Sequence, residues 1–87
     1  NNVALMKNEI RVVFSKTVNK IQIDQTLLSV DGKIISGPSQ QGVYVIRIND
    51  INVSGREITE LVAKLRAQSH IVFAEPALSA LLQNQSG

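Results

Sequence analysis

The chain has 87 residues, of which 44% are hydrophobic and 18% charged, with a net charge of +2; this is the composition of one small folded domain, near the size at which a single core just suffices, and not of a disordered tail. It has no cysteine, which excludes disulfides, thiolate metal centres and cysteine nucleophiles. Its basic residues form no run, and Phe14, Tyr44 and Phe73 are its only aromatics, too few for a base-stacking platform, so nucleic acid is not expected as a partner.

The chain opens NNVALMKNE without an initiator Met, which points to a piece of a longer protein. No apolar run is long enough to cross a bilayer and no signal segment stands at the start, so this piece is not expected to insert in a membrane. Residues 1–8 read as a flexible lead-in, 9–77 as the domain and 78–87 as a C-terminal tail.

The stretch EIRVVFS sets Ile10, Val12 and Phe14 against Arg11, Val13 and Ser15, the period-two pattern of a half-buried strand. From Asn19 to Val30 the apolar residues Ile21, Ile23, Leu27, Leu28 and Val30 suit a helix, stopped by Asp31-Gly32. KIIS is a short strand, and GPSQQG, with Gly37, Pro38 and Gly42, joins it to VYVIRI, where Tyr44, Ile46 and Ile48 oppose Val43, Val45 and Arg47. Ser54 and Glu57 form an S-x-x-E capping box before Ile58, Leu61, Val62 and Leu65, predicting a second helix from about Glu57 to Gln68.

The last strand, HIVFAEP, alternates Ile71 and Phe73 with Val72 and Ala74. The order strand, helix, strand, strand, helix, strand predicts an α+β, ferredoxin-like βαββαβ sandwich, an antiparallel sheet in the order 4-1-3-2 with two helices on one face. The last strand then lies at an edge, where Pro76 removes a donor and Glu75 blunts stray pairing.

No catalytic chemistry is expected. His70 is the only histidine and has no Ser, Asp or Glu at a triad spacing, so it reads as structural. The aspartates lie scattered on separate elements, so no metal is expected, and GPSQQG lacks the phosphate-loop pattern, so no cofactor is expected either.

GVYVIRINDINVSGREITELVAKLRAQSHIVFAEPA resembles the end of subtilisin-type propeptides and related peptidase inhibitors, with Leu61, Leu65, Ile71, Phe73, Ala74, Glu75 and Pro76 at the matching positions. Together with RVVF and GKIISGPSQQGVYVI, residues 9 to 77 are also similar to an extracytoplasmic domain of bacterial membrane-anchored regulators of the anti-sigma type. The resemblance implies a non-catalytic, periplasmic regulatory module that binds another protein, such as a protease or a regulator. It would use the edge strand, the 37–42 loop or the tail after Pro76. The expected contact residues are Gly37, Pro38, Ser39, Tyr44, Phe73, Glu75, Pro76 and Leu78, with Glu75 as the transferred acid. The alternative is a small-molecule sensor of the amino-acid-binding type, with a pocket near Ser15 to Asn19 and a side-by-side dimer.

Overall fold

The computed structural model describes residues 8–77, so Leu78 and the rest of the tail lie outside the described residues. Three strands come from β-branched alternation: β1 (Glu9–Phe14), β2 (Gly32–Ser36) and β3 (Val43–Ile48). The fourth, β4 (Ile71–Pro76), follows α2 (Gly55–Arg66), and α1 (Lys20–Ser29) links β1 to β2. The four strands form one antiparallel sheet in the order β2-β3-β1-β4, which is the expected 4-1-3-2 order read from the opposite edge. No helix among the described residues is long and apolar enough to cross a membrane.

Both helices feed the core on one side of the sheet. Ile10, Val12 and Phe14 of β1, Ile46 and Ile48 of β3, and Ile71 and Ala74 of β4 meet Ile58, Val62 and Leu65 of α2, with Ile23 and Leu27 of α1 packed at the margin. Leu61, expected in that face, is half-buried at its flank. Burying a side chain such as Leu65 stabilises the fold by about 1.5–3 kcal/mol relative to leaving it in water.

Each helix starts on a reciprocal cap. Ser54 Oγ accepts from Glu57 N at 3.1 Å while Ser54 N donates to Glu57 Oε1 at 2.8 Å. The capped helix therefore begins at Gly55 and ends at Arg66, about one half-turn earlier than the apolar spacing suggests. Asn19 makes the same box with Gln22, at 2.8 and 3.1 Å, and satisfies first-turn donors that would otherwise be orphaned.

Two details of α1 depart from the expectation. Ile21 and Leu28 are 67% and 81% exposed while Thr26 is 1% exposed, so the helix buries a polar residue where an apolar stripe was expected. Asp31, not Gly32, takes the left-handed backbone, at φ 52°. Gly32 is needed for a different reason: a Cβ there would sit 2.6 Å from Ile46 Cγ2 on the neighbouring strand.

Thr26 is held in a polar latch between α1 and the turn after α2. Its hydroxyl lies 2.9 Å from the Gln22 carbonyl oxygen, 2.9 Å from Gln68 Oε1 and 2.6 Å from His70 Nε2. One hydroxyl proton can serve only one of the two carbonyl acceptors, so the arrangement closes when His70 carries its proton on Nε2 and donates to Thr26. Gln68 Nε2 reaches Ser29 Oγ and Lys64 Nζ donates to the Ser29 carbonyl. His70 also stacks on Phe14, with ring centroids 6.5 Å apart. Its place is thus in the packing between elements.

Asn8, read as part of the lead-in, is buried and bound to the sheet end, its Nδ2 donating to the Ile48 carbonyl and its own carbonyl accepting from Ile48 N.

Candidate interaction surface

The register decides which side chains share the face that neither helix covers. Three cross-strand rows result: Lys33, Arg47 and Glu9; Ser36, Val45, Arg11 and Glu75; Val43, Val13 and Phe73. The last row is apolar throughout. With Val45 it forms a patch of half-buried valines beside Phe73, which is 41% exposed.

Two ion pairs lie within this face. Arg11 Nη1 lies 2.9 Å from Glu75 Oε2, and Arg47 Nη2 lies 2.9 Å from Glu9 Oε2. Glu9 has a side chain only 5% exposed, so Arg47, donating through both Nε and Nη2, supplies the partner that a buried carboxylate requires. Arg11 and Glu75 are more open, and such pairs contribute about 1 kcal/mol or less.

The 37–42 loop borders the patch and carries its own scaffold. Ser39 Oγ accepts from Gln41 N and Val43 N at 3.2 and 3.1 Å, and the Ser39 backbone bonds to Gly42 N and the Val43 carbonyl. Gly37, at φ 106°, passes so close to β3 that a Cβ would meet the Val43 oxygen at 2.5 Å. A groove of about 370 Å³ lies between loop and sheet, lined by residues including Arg11, Ser36, Pro38, Gln41, Val43 and Val45.

The expected contact residues divide. Gly37, Pro38 and Ser39 line this groove, and Phe73 and Glu75 lie on the same face across β1. Tyr44 is paired with Val12 on the helix side and packs edge-on against Phe14, with ring centroids 5.6 Å apart, so it belongs to the core margin. Pro76 pairs with Ile10, in a row of the helix side, and Leu78 is outside the described residues.

On the edge strand β4, Glu75 turns to the uncovered face and meets Arg11 of β1 across the sheet. The cause is the register shift between Val13 and Phe14. It opposes Phe14 to Ile71 and Val13 to Phe73, leaves Val72 as the extra residue, and puts Ile71 and Phe73 on opposite faces. Along that edge Arg66 Nε donates to the Ala74 carbonyl at 2.9 Å, while Pro76 has no donor to offer.

Arg11, Val13, Val43 and Val45 are the residues that the reading of contacts from loop and last strand missed. Their signal was present, since they are the outward positions of the two alternating strands.

A second groove, of about 430 Å³, has Asp31, Asp50, Glu57, Glu60 and Lys64 around a floor of Ile48, Val53 and Leu61. Three of its carboxylates are already engaged, Asp31 with Asn49, Asp50 with Asn52 N and Glu57 with Ser54 N. Neither groove reaches the Ser15–Asn19 loop. Among the described residues, no three His, Asp or Glu side chains gather as a metal ion would require.

Compared with protein-family models, curated protein sequences and solved structures, the chain matches none.

Proposed function

We propose that the chain is a ferredoxin-like module serving as a non-catalytic interaction domain of a larger bacterial protein, of the propeptide or peptidase-inhibitor kind. On this reading it works outside the cytoplasm, in a regulator anchored elsewhere in its sequence, and binds another protein through the uncovered face of the sheet. The observation that carries the reading is the patch of Val13, Val43, Val45 and Phe73 beside the scaffolded 37–42 loop. Apolar centres flanked by satisfied charges suit protein recognition, because burying them removes water without stranding an ion. The Arg66 and Pro76 blocks make extended strand addition at β4 the less favourable route.

The first test uses a subtilisin-type serine protease and a chromogenic peptide substrate. The domain should inhibit saturably, and Phe73→Asp or Val45→Asp should weaken inhibition about tenfold or more, the scale of a central apolar contact. No inhibition by the wild-type domain removes the propeptide-like reading. Equal inhibition by the variants removes the sheet face as the surface.

A further inference from the structure

We propose that Asn52 is an acceptor for an N-linked glycan, recognised through Asp50 and Ser54 in the loop between β3 and α2. The inference goes beyond the interaction surface and shares with the proposed function only its setting outside the cytoplasm.

Asn52-Val53-Ser54 is an N-x-S sequence without proline at its centre, the pattern whose asparagine amide takes a glycan in exported proteins. Bacterial oligosaccharyltransferases ask in addition for an acid two residues before the asparagine, and Asp50 stands there. Asn84-Gln85-Ser86 repeats the shorter pattern with Leu82 in place of the acid, and lies outside the described residues.

The fold holds the loop by the one residue that the transferase does not read. Val53 is 4% exposed and joined to the core, while Asp50, Ile51, Asn52 and Ser54 are exposed. Asn52 enters the described hydrogen bonds through its backbone, its N donating to Asp50 Oδ1 at 2.9 Å in an Asx turn, so its side-chain amide is left to react. Ser54 has an extended backbone, at φ −81° and ψ 164°, and its Oγ accepts from Glu57 N, which leaves the hydroxyl proton to donate.

The step is a group transfer from a sugar carried on a polyprenyl diphosphate. Asn52 Nδ2 bonds to the anomeric carbon, the bond from that carbon to the diphosphate oxygen breaks, the diphosphate leaves with the electron pair, and the amide nitrogen gives up one proton. The site stands clear of the valine patch. Val43 is at the other end of β3 from this loop, about 17 Å away at the rise of a strand.

The test incubates the folded full chain with a bacterial oligosaccharyltransferase and a polyprenyl diphosphate-linked oligosaccharide, followed by tryptic mass mapping. Cleavage after Arg47 and Arg56 isolates Asn52 in peptide 48–56, apart from Asn84 in peptide 67–87. Expected is a gain of the glycan mass on peptide 48–56, lost in Asn52→Gln and reduced in Asp50→Asn. Loss is expected also in Ser54→Asp, which keeps a helix cap but has no hydroxyl, and retention in Ser54→Thr, which keeps both. Glycan confined to peptide 67–87, or reaching peptide 48–56 only in the denatured chain, overturns the proposal, as does equal modification of the Asp50→Asn or Ser54→Asp variant. This readout needs neither a protease nor a known compartment, so it stands or falls apart from the inhibition test.

Discussion

The two faces of the sheet are built from the same strands and do opposite work. On the helix side, alternate residues of β1 and β3 are fully apolar, with Ile10, Val12 and Ile46 all at 0% exposure. One residue over, the uncovered side mixes valines with Arg11, Arg47, Glu9 and Glu75, each charge held by a cross-strand partner. Apolar burial therefore concentrates on one face, where desolvated surface is largest, while on the other only the buried Glu9 and its Arg47 partner are tied closely to the fold, and the valines beside Phe73 remain available for contact.

The strongest way to break that division is Leu65→Ala or Ile46→Ala, which should each cost about 2–5 kcal/mol in chemical denaturation because both side chains are fully buried and leave a cavity. A loss below about 0.5 kcal/mol, the ordinary surface range, would mean the helix side is not the core. Next comes Thr26→Val, which keeps the shape and removes the hydroxyl shared by Gln22, Gln68 and His70. We expect a loss of about 1–3 kcal/mol from stranding those groups. An unchanged midpoint would show that the latch adds nothing to apolar packing.

Ser54→Ala should follow at about 1 kcal/mol, the usual value of a helix cap, with rescue by Ser54→Asp as the check that the cap is the cause. On the uncovered side, a double-mutant cycle on Arg11 and Glu75 should return a coupling of about 1 kcal/mol or less, shrinking with added salt. A coupling several times larger and insensitive to salt would place that pair in a desolvated environment, contrary to the division of faces.

The two helices show how far such a division can be read from sequence. For α2 the capping box and the i, i+3, i+4, i+7 recurrence of Ile58, Leu61, Val62 and Leu65 place the helix to within a half-turn and name three of its buried residues, Ile58, Val62 and Leu65, with Leu61 half-buried beside them. For α1 the same method puts five apolar residues in one helix but not on one face, because Ile21 and Leu28 turn outward and Thr26 turns in. What makes Thr26 a core residue is His70 and Gln68, more than forty positions away in sequence. No local pattern contains that information.

What the sequence determined by itself is the set of elements, their order and the antiparallel four-strand sheet, because alternation, caps and turn residues are local and the handedness of crossovers leaves few ways to connect them. It also marked Arg11, Val13, Val43 and Val45 as outward positions. Tertiary structure alone decided which outward residues became neighbours. One extra residue at the register shift turned Phe73 and Glu75 to the uncovered face, and the helix side claimed Tyr44. A strand's side chains alternate with a period of two, so a single inserted residue reverses the facing of everything beyond it, and where the insertion falls depends on the partner strand.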